Sequence, residues 1–367
     1  MSEPNRKILI LYATAGAGHK KAAEAIFHEA KNRSLDVELV DIINYMPPLM
    51  AKLYSDGYAL LITRLVWLWA ILYYISDAAY LSPFNVHLRK FMNARACGKL
   101  IGFLKNKKPD IVISTHFLAS EIVSYAKQKF GVGSKLISIV TDFEVHNFWI
   151  APKTNVYCCA TEATKQILIK KGVPESQIRI TGIPVDPKFL AAQDKNQLIQ
   201  EFKLKEGLFT ILIATGGIGA GPIEEIVELL KDDAQLLVIC GNNKKLFESL
   251  QQKKFTNVHV FGFVDYMQKL MKASDCIITK AGGLTVTECL TMGLPMIFFY
   301  LIPGQEEKNA KTMATYGAGV IALSLPEIKA AALRFKNDAK VCGSFKNAAI
   351  SLAKPDSCQE ILATCLK

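Results

Sequence analysis

Short, uninterrupted apolar runs recur along the chain, and each ends abruptly at a glycine, hydroxyl or charged residue before a helix-like stretch begins. In the first half this pattern predicts strand Lys7–Tyr12, helix His19–Asn32, strand Val37–Ile42, a long helical stretch, strand Ile111–Ser114, helix Phe117–Lys129 and strand Leu136–Val140. Gly182-Ile183-Pro184-Val185-Asp186-Pro187 resists regular structure. Beyond it the alternation restarts, with strands over Thr210–Ala214, Leu236–Cys240, Val258–Val260, Cys276–Thr279 and Met296–Tyr300. Such repetition predicts an α/β fold. The expected organisation is a domain over 1–183, a second over 184–345 and a terminal helix over 346–367 that packs back towards the first. No internal sequence repeat or low-complexity tract is present.

One stretch breaks the alternation. Ala59–Ile75 reads ALLITRLVWLWAILYYI and is apolar on every side from Leu65 to Ile75. A bilayer-crossing helix needs about 20 apolar residues, whereas this run carries Arg64 and stops at Ser76-Asp77. A soluble helix keeps one polar face, so this one is either deeply buried or lies against lipid, where Trp67, Trp69, Tyr73 and Tyr74 would settle at headgroup level. Contact with a lipid or lipid acceptor is the expectation, and core packing is its alternative.

Charge sharpens this picture. Residues 1–183 hold 23 Lys and Arg against 14 Asp and Glu, net +9, while residues 184–367 hold 21 against 19, net +2. A basic half can meet nucleic acid, an anionic membrane or a phosphorylated substrate. The basic residues form no stripe with interleaved aromatics, which argues against nucleic acid. Some, such as Lys105, Lys107 and Lys108 near Pro109, simply end a helix. The nine cysteines contain no C-x-x-C pair, and Cys158 and Cys159 lie in a strand-like stretch, so neither a disulfide framework nor a zinc site is expected. With a polar start and no export leader, a cytoplasmic location is expected, at the inner face of a membrane.

The candidate chemistry sits at strand ends, where open α/β sheets bind ligands. Thr14-Ala15-Gly16-Ala17-Gly18-His19 closes the first strand, and Thr215-Gly216-Gly217-Ile218-Gly219-Ala220-Gly221 closes another near the midpoint. Each bares backbone N–H groups and feeds a helix whose positive end favours anions. Two such loops predict two nucleotide-fold halves facing one cleft, the outline of a glycosyltransferase that uses a nucleotide-activated sugar. His19, His116 and Asp142 each follow a strand of the first half. A helix start would lower the pKa of His19 and keep it neutral enough to take a proton, although it also reads as an ordinary helix-start residue. Asp142 either orients an imidazole, receives the proton or caps a helix; His116 is a weaker candidate. His28, His87 and His259 read as surface or satisfied core residues.

In the second half, Gly216, Gly217 and Gly219 allow close backbone approach by a base, ribose or phosphate. Lys280-Ala281-Gly282-Gly283-Leu284-Thr285 ends a strand and starts a helix where a departing diphosphate could rest, a fixed helix end standing in for a metal. Glu288 is placed to accept hydrogen bonds from ribose hydroxyls. Pro303-Gly304-Gln305-Glu306-Glu307-Lys308-Asn309 offers amides and carboxylates to sugar hydroxyls. A D-x-D pair is missing, the nearest patterns being Asp36-Val37-Glu38 and Asp142-Phe143-Glu144, so no metal or other cofactor is expected.

Taken in order, these pieces resemble the family of monogalactosyldiacylglycerol synthases and processive diacylglycerol glucosyltransferases, relatives of the peptidoglycan lipid-linked N-acetylglucosaminyltransferase. The matching residues are Gly16-Ala17-Gly18-His19 with Ala22 and Ala23, Ser114-Thr115-His116, Thr141-Asp142 with His146 and Trp149, Gly216 to Gly221, Gly262-Phe263-Val264, Lys280 to Thr285 with Glu288, and Pro303 to Glu306 with Asn309. The resemblance spans nearly the whole chain. It implies the two-domain GT-B fold, with two Rossmann-like domains facing an interdomain cleft, a UDP-sugar donor in the C-terminal half and a membrane lipid acceptor, most simply diacylglycerol, in the N-terminal half. It implies that His19 is the general base, alone or in a relay with Asp142. It also implies that backbone near Phe263 and Val264 holds uracil, Glu288 binds ribose, and Gln305 and Glu306 bind the hexose. Gly18, Trp67, Trp69, His116, His146 and Trp149 fall on the acceptor or membrane side. Ala281 departs from the proline common in that loop, and Pro47 to Pro83 is the least family-like part.

The implied reaction is inverting transfer of glucose or galactose by single displacement, with no covalent sugar intermediate. Among alternatives, an enzyme acting on UDP-N-acetylglucosamine, either a lipid-linked transferase or a 2-epimerase, shares the architecture, but an epimerase has no need for a greasy aromatic helix or a basic half. A non-catalytic UDP-sugar sensor is a third reading. A nicotinamide dehydrogenase fails the G-x-G-x-x-G/A pattern, because Lys21 occupies its last position, although Asp41 stands where a ribose-binding acid would.

Overall fold

Two parallel six-stranded sheets organise the described residues (6–14, 16–77 and 98–366) of the computed structural model, one sheet in each of two units. The first unit comprises the chain up to Asp186, together with Pro303–Gln305 and the segment from Lys354 onward; the second comprises Pro187–Ile302 and Glu306–Ala353. In the first unit the elements run β1 (Ile8–Tyr12), α1 (Ala17–Asn32), β2 (Val37–Asp41), α2 (Pro48–Thr63), α3 (Val66–Asp77), α4 (Gly98–Lys107), β3 (Ile111–Ser114), α5 (Phe117–Phe130), β4 (Lys135–Ile139), β5 (Val156–Cys159), α6 (Glu162–Lys170) and β6 (Ile178–Ile180). In the second they run α7 (Lys195–Glu201), β7 (Thr210–Ala214), α8 (Ile223–Leu230), β8 (Gln235–Ile239), α9 (Lys244–Gln252), β9 (Val258–Phe261), α10 (Met267–Ala273), β10 (Cys276–Thr279), α11 (Gly283–Met292) and β11 (Met296–Phe298). There follow α12 (Gln305–Thr315), whose first residue counts with the first unit, β12 (Gly319–Ile321), α13 (Leu325–Asn337) and α14 (Ala339–Leu352); α15 (Ser357–Leu366) belongs to the first unit.

The first sheet has the order β2-β1-β3-β4-β5-β6 and the second β12-β11-β10-β7-β8-β9. In the first, the chain moves outward from β1 to β2 and then crosses back to β3, so the loops leaving β1 and β3 part in opposite directions. The second reverses in the same way between β7 and β10. Each reversal opens a crevice at the carboxyl ends of the strands. Central strands such as IVIS in β3 and TILIA in β7 are buried throughout, as expected of parallel strands covered on both faces. The two strands that the apolar pattern misses altogether, β6 and β12, are three-residue edge strands, too short to make a recognisable run.

Period-two alternation divides the first core. Leu9 and Leu11 face Val112, Leu118 and Ile122 on one side, while Ile8 and Ile10 face Ile111, Ile113, Ala23 and Ile26 on the other. Cys358, Ile361, Leu362 and Cys365 of α15 complete the second side. The carboxyl end of α15 receives cations, with Arg6 Nη1 donating to the Leu366 carbonyl at 2.7 Å and Lys135 Nζ to that of Thr364 at 2.9 Å. All eight described cysteines are free thiols.

The apolar stretch is two helices, because the chain breaks at Arg64-Leu65 between α2 and α3. Tyr73 is the buried residue of α3, whereas Trp67, at 65% exposure, and Ile71, Leu72, Tyr74 and Ile75 are exposed, as are Leu49, Leu53 and Leu60 on α2. Among the described residues, no helix is long and apolar enough to cross a membrane.

In the second unit, Gly319 of β12 lies under the fully buried Phe298 ring of β11, where a Cβ would sit 2.4 Å from a ring carbon. Overpacking of this kind costs about 1–3 kcal/mol. Gly319→Ala should therefore lower the melting temperature by roughly 2–4 °C for each kcal/mol lost. Scanning calorimetry checks this, and an unchanged transition would show that the ring yields freely.

Candidate functional site

In the first unit the site is built where β1, β3 and β4 end. Gly16, at φ 106°, makes the turn into α1, a conformation few other residues adopt, and sets His19 in the first helical turn. His19 Nδ1 lies 2.8 Å from the Thr115 carbonyl oxygen and 3.0 Å from Thr141 Oγ1. A carbonyl only accepts, so Nδ1 carries the proton and Nε2 keeps its lone pair. Thr115 Oγ1 returns a bond to the His19 carbonyl at 2.9 Å. The rings of His116, 4.5 Å away and edge-on, and Trp149, 6.4 Å away, close around the imidazole. Burial lowers the His19 pKa to about 4, opposed by the bond to the Thr115 carbonyl. The imidazole is thus neutral at ordinary pH, as a general base requires. Its principal cause is burial, where the sequence pointed to the helix end.

The neighbouring histidines are committed elsewhere. His116 Nδ1 accepts the Leu118 N–H at 3.1 Å, capping α5, while Nε2 lies 3.4 Å from the Tyr54 hydroxyl of α2. Burial and the nearby His19 hold its pKa well below the usual histidine range. His146 Nδ1 accepts the Phe148 N–H at 3.1 Å, and its Nε2 faces the Tyr73 carbonyl at 3.2 Å and Ser76 Oγ at 3.3 Å. Both therefore hold α2, α3 and α5 in place around His19. Asp142 is buried, and its Oδ1 accepts a hydrogen bond from Gln305 Nε2; among the described helices none takes Asp142 as its N-cap. Trp69 Nε1 donates to the Pro303 carbonyl at 3.2 Å, and Trp149 is buried.

The second unit offers backbone. Gly216 and Gly219 have φ of 84° and 63°, and a Cβ on Gly219 would lie 2.0 Å from the Cys240 carbonyl oxygen, so the backbone just past β8 approaches too closely for any side chain. Asn243 Nδ2 donates to the Gly219 carbonyl at 3.0 Å. Across the reversal, α11 starts at Gly283 with Gly282 as an N-cap that supplies no side-chain bond. The amides of Gly283, Leu284 and Thr285 therefore point out of the helix end, the arrangement that receives phosphate. Lys280 Nζ lies 3.6 Å from Glu306 Oε1, and Glu306 Oε2 accepts the Ile302 N–H at 2.9 Å. Asn309 is buried and donates to the Ala281 carbonyl at 3.0 Å, fixing the turn. Glu288 is buried one turn into α11, while Phe263 is exposed beside Val264 in the loop after β9. Gly217 stands in the loop after β7, where its carbonyl accepts the Asn242 N–H at 2.9 Å.

Several of these contacts have no sequence signal. Thr115 acts through its carbonyl, Thr141 through proximity to a ring 122 positions away, and Cys240 through its backbone. His28 sits edge-on to Phe27, and His259 is half-buried in β9. His87 lies outside the described residues, as do Ala15 and the run from 78 to 97.

Residues 19–185 match the monogalactosyldiacylglycerol (MGDG) synthase family and residues 210–328 the glycosyltransferase family 28 C-terminal domain. The chain is 30% identical over 366 residues to a processive diacylglycerol beta-glucosyltransferase of Bacillus pumilus, covering 98% of this chain and 94% of the relative. It is 30% identical over 341 residues to the protein of the same name from Staphylococcus epidermidis, covering 88% and 82%. Among solved structures it is similar to MurG of Acinetobacter baumannii, with TM-score 0.63, 19% identity and coverage of 98% and 99%. It is similar also to the UDP-GlcNAc 2-epimerase of Neisseria meningitidis bound to UDP-GlcNAc, with TM-score 0.64, 18% identity and the same coverage. These structures share the GT-B fold.

The His19 environment makes a direct prediction. Between pH 6.5 and about 4 the folded ring stays neutral while the unfolded one is protonated, so His19 contributes a loss of stability as pH falls through that window. In ¹H–¹⁵N spectra His19 should show a protonated Nδ1 and a midpoint near 4; a midpoint at 6.5 would overturn this account.

Proposed function

The chain belongs to the processive diacylglycerol β-glucosyltransferase family, and from that premise we propose that it transfers glucose or galactose from its UDP-sugar to diacylglycerol with inversion. The observation that carries the mechanism is the neutral His19 with its lone pair on Nε2. The diacylglycerol hydroxyl gives its proton to Nε2, its oxygen bonds to the anomeric carbon, and the bond from that carbon to the diphosphate breaks on the opposite face. Negative charge then appears on UDP. The amides of Gly283, Leu284 and Thr285 and the ammonium of Lys280 supply its stabilisation, which lets the reaction run without a metal.

Gly216, Gly217 and Gly219 admit the nucleotide closely, the backbone at Phe263 and Val264 takes uracil, and Glu288 takes the ribose hydroxyls. Gln305, Glu306 and Asn309 serve the hexose, directly or by shaping its loop. On the acceptor side, Gly18 and Trp149 border His19, while His116 and His146 fix the helices that carry Trp67 and Trp69. Asp142 holds Gln305 and shares in orienting the reacting groups. The exposed apolar residues of α2 and α3, together with the net +9 of residues 1–183, support docking on the anionic cytoplasmic face of a membrane. Nothing in this scheme calls for nucleic acid.

Purified protein incubated with each radiolabelled UDP-sugar and diacylglycerol vesicles should yield a labelled lipid on thin-layer chromatography with UDP-glucose or UDP-galactose. His19→Ala should lower turnover by about 10²–10⁴-fold while UDP binding persists. Free epimerised hexosamine with no labelled lipid would instead favour the epimerase reading, UDP-sugar binding with no turnover of any donor would favour the sensor, and full turnover by His19→Ala would remove His19 from the role of base.

Liposome flotation tests the docking face separately. Trp67→Ala should weaken vesicle binding on the order of tenfold, the scale set by burying a large apolar side chain. Unchanged flotation would remove Trp67 from the membrane contact.

A further inference from the structure

We propose that α3 is a positioning element for sugar transfer, in which Trp69 and Tyr73 hold the Pro303–Gln305 strap so that the Gln305 amide meets Asp142. The inference rests on the transferase reading and adds to it a mechanical link from the exposed apolar helices to the reacting groups.

Three contacts define the link. Trp69 Nε1 donates to the Pro303 carbonyl at 3.2 Å. Gly304, buried and at φ 91°, presses on the Tyr73 ring so closely that a Cβ would lie 2.4 Å from a ring carbon. The next residue, Gln305, donates to Asp142 Oδ1. Trp69 and Tyr73 are four residues apart and so share one helix face, their rings 6.0 Å apart. Trp67, Ile71, Leu72, Tyr74 and Ile75, on the remaining surface of the same helix, are exposed and apolar.

The far end of α3 is pinned. The Tyr73 carbonyl faces His146 Nε2 at 3.2 Å, and Asp77 accepts the Asn147 N–H at 2.8 Å and ion-pairs with Lys171 at 3.0 Å. With that end held, displacement of the helix is left to the turn that carries Trp67 and Trp69. The strap is three residues long, so a displacement there reaches Gln305 with almost no slack. A lipid surface on the outer face thus bears on the geometry of Asp142 without touching it.

The test uses Trp69→Phe, which keeps an aromatic ring and removes the N–H donor, and Gly304→Ala, which forces the strap off the Tyr73 ring. In the full-length enzyme each should lower kcat about tenfold, the value of one hydrogen bond at about 1.4 kcal/mol, and narrow the preference between UDP-glucose and UDP-galactose. KM for diacylglycerol, UDP affinity and vesicle flotation should stay within twofold. Hydrogen exchange at positions 304 and 305 should quicken at least tenfold in both variants. Unchanged kcat in an active enzyme, or a loss confined to vesicle binding, overturns the proposal. Unchanged exchange at the strap overturns it whether or not the protein makes glycolipid. Wild-type protein that makes no glycolipid while Trp69→Phe still loosens the strap would sink the transferase reading and leave the mechanical link standing.

Discussion

Every strand pairing in both sheets is parallel, and this constraint decides where chemistry can occur. Parallel strands release their chains at the same edge, and a reversal of strand order parts two of those chains and leaves room between them. At the β1/β3 reversal the two loops bring Gly16 to His19 and Thr115 to His116. At the β7/β10 reversal they bring Gly216 to Gly219 and Lys280 to Thr285. The architecture is the same; what differs is the material delivered. One reversal receives imidazoles and hydroxyls suited to moving a proton, the other receives bare amides and an ammonium suited to holding an anion.

The state of His19 depends on three strand ends at once. β1 delivers the ring, β3 supplies the carbonyl that fixes its proton on Nδ1, and Thr141 beyond β4 supports the same nitrogen. Burial alone would leave a neutral ring free to choose either tautomer. The Thr115 carbonyl removes that freedom, and because it favours a proton on the ring it also limits how far burial lowers the pKa. The balance is an imidazole whose Nε2 stays unprotonated down to about pH 4. In the proposed single displacement, its weak intrinsic basicity would be offset by proton removal that runs together with carbon–oxygen bond formation.

Much of this was legible in the sequence for definite reasons. Buried parallel strands leave continuous apolar runs, so β3, β7 and β10 stand out to the residue, and glycines that must adopt positive φ mark the loops at Gly16, Gly216 and Gly219. The short edge strands β6 and β12 carry no such run. Backbone acceptors are equally silent, since nothing about Thr115 as a residue type says that its carbonyl will orient a ring. The apolar stretch around Trp67 and Trp69 was conspicuous but undirected. With no polar residue to mark an outer face, its periodicity could not say which tryptophan turns in. The structure answers through contacts remote in sequence: Trp69 meets a carbonyl 234 positions away, while Trp67 meets solvent.

The dimensions of α2 and α3 bear on how such a protein would live at a membrane. At 16 and 12 residues, the helices rise roughly 24 and 18 Å, short of a hydrocarbon core about 30 Å thick. They can lie in the headgroup layer but cannot cross it. Binding of this kind draws on buried apolar area and on attraction between lysines or arginines and anionic lipid, and the second contribution fades within a Debye length, about 10 Å at 0.1 M salt. Neither is strong alone, so attachment of this kind is reversible. For an enzyme whose acceptor and product are both lipids, reversibility matters: under the proposed docking the helices would hold the surface long enough to admit diacylglycerol to His19, and yield as the glycosylated lipid departs. If the outward face of α3 meets lipid as proposed, strap contacts on its inward face would let one rigid element serve both ends of that cycle.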